Sequence, residues 1–140
     1  MRPGHYRLLD HTADLGIEIF GADLPGLFTN AGMALFDLLV QGPRTGRRRN
    51  HDLYIQGQDL ADLMVNWLRE LLFLWNGYQR LVIGISVGVL SPSVLDAAVD
   101  TVGYRPGRHE VLREIKAVTY HRIAVEEKGA GWQAAVFFDL

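Results

Sequence analysis

The chain has 140 residues, 49% of them hydrophobic, with a formal net charge of −2 and no cysteine. That length and apolar content suit a single domain spanning residues 1–140 with a packed core, and they exclude wholesale disorder. Without cysteine there is no disulfide, CxxC redox pair, thiolate nucleophile or Cys-ligated zinc, and the small net charge argues against nucleic-acid binding through overall charge while leaving local patches open.

No Arg/Lys start followed by an apolar segment marks a secretory signal. The most apolar run, Leu63 to Trp75, is interrupted by Asn66, Arg69 and Glu70, and is too short and too polar to cross a bilayer. The expectation is a cytoplasmic protein with no membrane partner.

The first predicted strands are HYRLL (5–9) and LGIEIFG (15–21), the second with Leu15, Ile17 and Ile19 on one face and Glu18 on the other. Between them lies a polar knot of Asp10, His11, Thr12 and Asp14, more polar groups than a turn requires. The stretch GADLPGLFTNAGMALFDLLVQGP predicts a helix with Asp23 as N-cap, Pro25 in the first turn and Leu27, Ala31, Ala34, Leu35, Leu38 and Leu39 on its buried stripe, ended by Gly42-Pro43.

RTGRRRN (44–50) reads as an exposed basic loop, and HDLYIQG (51–57) as a short strand. Residues 58–77 give the clearest helix, with Leu60, Leu63, Met64, Trp67, Leu68, Leu71 and Leu72 buried and Gly77 as its C′ residue. Phe73, Leu74 and Trp75 widen its apolar surface, which predicts cover on more than one side. From Arg80 the period changes to two. Strands are expected at RLVIGISVGVL, VLDAAVDTVGY, residues 112–127 and residues 132–140, with KGAG as a hairpin turn between the last two. The order ββαβαββββ predicts an α+β, two-layer fold: a largely antiparallel sheet with two helices packed on one face.

Three groups of residues could carry chemistry. Asp14 lies near the start, Asp139 is the penultimate residue, and Leu140 carries the last carboxylate. The apolar side chains of the last strand place it inside the sheet, which would fix Asp139 in space. Carboxylates gathered there would repel unless a hard divalent cation joined them; the alternative is a solvated strand end and an Asx-turn. His11 is open to three readings: zinc ligand, general base or cap of its turn.

In EIKAVTYH (114–121), Glu114, Lys116, Val118 and Tyr120 alternate with Ile115, Ala117, Thr119 and His121. A tight hairpin sets position 139 opposite roughly 118. Lys116 then lies near the last carboxylate and Thr119 near Asp139, as a functional pair or as a cross-strand ion pair on a solvated face. The Arg44, Arg47, Arg48 and Arg49 loop could touch phosphates or simply be solvated. No GxSxG, Walker A, GxGxxG or HExxH motif occurs.

DHTADLGIEIFG, ADLPGLFTNAGMALFDLL, DLADLMVNWLRELLFL, EIKAVTYH and the terminal W…FFDL together resemble the archease family in order and spacing, from about residue 6 to residue 140. The basic RTGRRR stretch is not part of that resemblance. The resemblance implies a small cytosolic α+β protein that is not itself an enzyme. It would assist an RtcB-type RNA ligase by promoting GTP-dependent guanylylation of the ligase's histidine and multiple turnover, in tRNA splicing or RNA repair. tRNA would be engaged only indirectly. The alternative is a chaperone or modulator of a tRNA-modifying enzyme such as a tRNA methyltransferase, with the wide apolar surface around Trp75 as the contact.

The resemblance also implies a divalent cation, Ca²⁺ with Mg²⁺ as the other candidate, held by Asp14, Asp139 and Leu140 through its carboxylate. His11, Glu114 and Lys116 are the implied partner-facing residues.

Overall fold

A computed structural model describes residues 5–9 and 14–140. The elements run β1 (Tyr6–Leu9), β2 (Leu15–Gly21), α1 (Leu24–Leu39), β3 (Val40–Gln41), β4 (Arg49–Gln56), α2 (Leu60–Tyr78), β5 (Arg80–Leu90), β6 (Val94–Gly103), β7 (Glu110–Val111), β8 (Ala117–Lys128) and β9 (Gly131–Asp139). Asp10, His11 and Thr12 of the polar knot lie outside the described residues.

Both helices start on an aspartate. Asp23 Oδ1 accepts from Gly26 N at 2.7 Å and Asp59 Oδ1 accepts from Asp62 N at 2.8 Å, each satisfying an amide that has no partner within its helix. The predicted stripe of α1 is buried at every named position. Helix α2 ends one residue beyond Gly77. Gln79 adopts the left-handed conformation (φ 53°), and its N–H closes on the carbonyls of Leu74 and Trp75; the expected capping glycine therefore lies inside the helix, against the Phe73 ring.

The fold is α+β and its strand pairings are antiparallel. The strands are divided among a four-stranded sheet in the order β1-β2-β9-β8, a three-stranded sheet β4-β6-β5 and a short β3-β7 ribbon. Each helix touches both larger sheets: α1 packs on β2, β9 and β5, and α2 on β8, β4, β5 and β6. Such double cover needs more than one apolar stripe. Helix α2 provides it by burying Val65, Leu74 and Trp75 beside the predicted stripe. Trp67, fully buried, joins the helices by donating from Nε1 to Phe28 O at 2.9 Å.

Strand β8 begins at Ala117, not at residue 112. Leu112, Arg113 and Ile115 spend polar groups on the helices instead: Leu112 N donates to Leu39 O, Arg113 Nη1 to Leu38 O, and Asn76 Nδ2 to Ile115 O. Alternation fails there, and Ile115 and Val118 are both buried. Strand β9 lies inside its sheet, between β2 and β8, with Val136, Phe137 and Phe138 buried.

Candidate functional site

The site is assembled where three strand ends meet. Leu15 pairs with Phe138, so the next residues outward on these antiparallel strands, Asp14 and Asp139, follow side by side. On the other flank Asp139 pairs with Ala117, and its carbonyl accepts from Lys116 N at 2.8 Å. Asp14 is half-buried, while Asp139, Lys116 and Glu114 are exposed and Leu140 is 51% exposed. The fold thus gathers Asp14, Lys116, Asp139 and Leu140 at one corner. Glu114 sits just outside it on the segment before β8. His11 lies outside the described residues.

The register differs by one from expectation, since Asp139 faces position 117. Thr119 accordingly pairs with Phe137 and donates to its carbonyl at 3.1 Å, and is not placed on Asp139. The hairpin register running from Lys128↔Gly131 to Ala124↔Ala135 would, if unbroken, set Asp139 opposite Tyr120; an irregularity in β8 moves it three residues, to Ala117. Between the pairs Thr119↔Phe137 and Ala124↔Ala135, residues 120–123 of β8 oppose Val136 alone, and Arg122 takes a left-handed φ of 54°. A non-glycine residue there costs about 1 kcal/mol or more.

Sequence reasoning missed the side chains that hold this bulged strand on α2. Arg69 donates to Val118 O from Nε (3.3 Å) and Nη2 (3.2 Å), with its guanidinium 4.8 Å from the Tyr120 ring centre. Tyr120 donates to Asp62 Oδ1 at 2.6 Å, and Gln58 N donates to Asp62 Oδ2 at 2.9 Å. The Tyr120 hydroxyl, then the Gln58 amide, hold the Asp62 carboxyl below the usual carboxylate range, and the same bond to Asp62 pushes the Tyr120 hydroxyl up. Arg69, Phe73 and Asn76 share one face of α2 by spacing, which is the signal that could have found them. With Lys116 they line a groove of about 240 Å³ between α2 and β8.

Trp75, expected as an exposed contact, is only 6% exposed and packs edge-on against Tyr104 at 5.5 Å. The exposed aromatics at this end of α2 are Phe73 and Tyr78, 53% and 65% exposed and edge-to-face at 5.4 Å. Spacing explains the exchange: Trp75 continues the stripe of Leu68, Leu71 and Leu72, and Phe73 falls on the opposite side.

Asp14, Asp139 and the carboxylate of Leu140 offer only hard oxygen donors, the chemistry that suits Ca²⁺ or Mg²⁺. Among the described residues, no group of three or more His, Asp or Glu side chains is arranged to hold a metal. The expected set does not require one, because it draws two donors from side chains and the third from the backbone of the last residue.

These observations define an α+β domain of two helices shared between antiparallel sheets, with a carboxylate-bearing corner where the ends of β2 and β9 lie together. The chain matches the archease protein family over residues 6–140 and belongs to that family. It is 33% identical over 135 residues to protein archease of Archaeoglobus fulgidus, covering 96% of this chain and 98% of that one. It is 32% identical to protein archease of Pyrococcus furiosus, with 97% and 96% covered. The solution structure of Methanobacterium thermoautotrophicum protein 1598 superposes with a TM-score of 0.71 at 26% identity, over 96% of this chain and 98% of that one. Among the described residues, no helix is long and apolar enough to cross a membrane.

Proposed function

We propose that this chain is a protein cofactor of an RtcB-type RNA ligase, promoting guanylylation of the ligase and its repeated turnover in tRNA splicing or RNA repair. The observation that carries the reading is the register, which brings the β2, β8 and β9 ends together with Asp14, Lys116 and Asp139 on them.

In this reading Asp14, Asp139 and the carboxylate of Leu140 hold a divalent cation, Ca²⁺ or Mg²⁺. When bound, the ion supplies Lewis-acid and electrostatic chemistry at the corner. The remaining steps belong to the chain's own residues. The β2–β9 ladder sets Asp14 and Asp139 next to each other at the strand ends, which supports their sharing one ion. Lys116, tied through its N–H to Asp139 O, presents its ammonium to phosphate oxygens of the ligase's bound nucleotide. Glu114 and His11 lie on the partner-facing surface around it.

The test is guanylylation of the ligase with Asp14→Asn and Asp139→Asn variants, read beside calorimetric titration with Ca²⁺ and Mg²⁺. Both variants should fold, lose cation binding and lose stimulation. Undiminished stimulation by either folded variant would overturn the role of the corner.

A second reading, a chaperone of a tRNA-modifying enzyme with the cation purely structural, is favoured by the exposed Phe73–Tyr78 pair, since adjacent solvent-facing rings suit a protein contact. It predicts that Phe73→Ser abolishes the effect on the partner while Asp14→Asn is silent.

A further inference from the structure

The basic loop does not stand alone in space. Arg47, Arg48 and Arg49 line a cleft of about 580 Å³ together with Arg80, which opens β5, and Arg105, which follows β6. Three stretches far apart in sequence therefore converge five guanidinium groups, and none of the residues lining the cleft is acidic. The ion pair within reach is Arg48 with Asp100, 3.9 Å long and solvent-exposed on both sides, so it neutralises little. Among the described residues, Arg47, Arg49, Arg80 and Arg105 have no carboxylate within 4.0 Å.

One of the five is fixed in place. Arg80 donates from Nε to Thr101 Oγ1 at 3.0 Å and from Nη2 to Thr101 O at 3.2 Å, and it lies so close over Gly103 that a Cβ there would stand 3.1 Å from Nη1. Thr101 Oγ1 is in turn 2.9 Å from His51 Nε2. Burial and the neighbouring Arg49 both disfavour the charge on Arg80. The protein thus keeps a half-buried, hydrogen-bonded cation among like charges, an arrangement that costs stability in the absence of an anion. Preorganised guanidinium groups match phosphate oxygens in geometry as well as charge.

We propose that this cleft binds closely spaced phosphate groups, either consecutive phosphodiesters of a single RNA strand or the polyphosphate chain of a nucleotide. Several guanidinium groups around one cavity exceed what a single carboxylate or monophosphate can neutralise, which points to adjacent phosphates. The inference stands apart from the carboxylate corner and needs no ligase to be tested.

The experiment measures fluorescence anisotropy of a labelled single-stranded RNA of about eight nucleotides between about 50 and 200 mM salt, with inorganic triphosphate and a poly-glutamate peptide as competitors. The full chain should bind. An Arg47→Ala/Arg49→Ala variant, altered only at exposed positions, should weaken binding roughly tenfold or more and reduce the log–log salt slope by about 1.4, or ~0.7 per lost phosphate contact. Lys128→Ala, in the β8–β9 hairpin, should bind as the parent does. RNA binding that triphosphate fails to displace assigns the cleft to a strand; tight triphosphate binding with weak RNA binding assigns it to a nucleotide. If neither phosphate probe binds at the lower salt, if the double variant binds like the parent, or if poly-glutamate competes as well as RNA, the proposal is overturned.

Discussion

Gly16→Ala is the sharpest available test of how the carboxylate corner is held. Gly16 is buried in β2 between Leu15 and Ile17, two residues from Asp14 and opposite Phe137. A Cβ built there would fall 2.4 Å from Phe137 Cε2 and 2.8 Å from Cδ2. Ordinary contact begins near 3.4 Å, so ring or strand must move by about an ångström, and the motion is opposed by packing. Phe137 is only 3% exposed, and the His121 ring stands edge-on to it at 5.6 Å. Overpacking of this kind costs about 1–3 kcal/mol, offset by roughly 0.5–1 kcal/mol from the lower backbone entropy of alanine in the unfolded chain. The net expectation is about 1–2 kcal/mol of destabilisation, or roughly 3–8 °C in Tm for a chain of this size. Thermal and urea unfolding of the single variants and of Gly16→Ala/Phe137→Leu supply the assay. Shrinking the ring should relieve much of the alanine's cost, giving a coupling of at least about 0.5 kcal/mol. A variant as stable as the parent, or strictly additive costs, would refute the close approach of ring and glycine.

Other expectations follow from single contacts. Arg44 donates from Nη2 to the carbonyls of Phe36 (3.2 Å) and Val40 (2.8 Å) at the end of α1, so Arg44→Ala should cost about 1–2 kcal/mol in urea unfolding while Arg47→Ala costs almost nothing. Burial, then Arg80 and Arg49, lower the His51 pKa, so the native state favours neutral imidazole; the stability this contributes is present above about pH 6.5 and is lost as pH falls through the lowered value. The Tm of the parent should therefore drop more on acidification than that of His51→Gln, and equal drops would count against the assignment. Lys116→Ala removes a side chain with no structural partner described for it beyond its backbone bond, so it should leave Tm within about 1 °C of the parent and lower ligase guanylylation.

Much of this architecture can be read from the chain because periodicity dominates where packing is simple. Both helices follow their apolar stripes, and Asp23 caps where a short acceptor precedes Leu24 and Pro25. The interior position of β9 follows from Val136, Phe137 and Phe138, which could not be left in water. The division into separate sheets was not legible, because period-two strands do not declare their neighbours. The β8 bulge carries no glycine to announce it; Arg122 takes a left-handed φ just after the stretch that α2 holds at Val118 and Tyr120. Within the basic stretch, adjacency in sequence hid two roles. Arg44 satisfies the end of α1, whereas Arg47, Arg48 and Arg49 reach the cleft only once the β4–β6–β5 pairing has brought Arg80 and Arg105 to them.

Helix α2 is the element on which both candidate surfaces depend. Its N-terminal turn holds Tyr120 through Asp62, its middle holds Val118 through Arg69, and Asn76 near its end donates to Ile115 O at 3.1 Å. These contacts follow β8 back toward its start, so the placement of Lys116 beside Asp139 is set by the helix as much as by the ladder. A few residues past Asn76, Gln79 turns left-handed, its carbonyl accepts from Tyr104 N at 2.9 Å, and the chain enters β5 at Arg80. The same helix end thereby fixes Tyr104 and Arg80 at the basic cleft. A rigid helix with Trp67 buried at its centre is well suited to this, because side chains on packed elements hold position more precisely than those on loops. Arg47 and Arg48, exposed just before β4, and Arg49, exposed at its first position, complement the hydrogen-bonded Arg80, which the helix end and strand have already positioned for an anion.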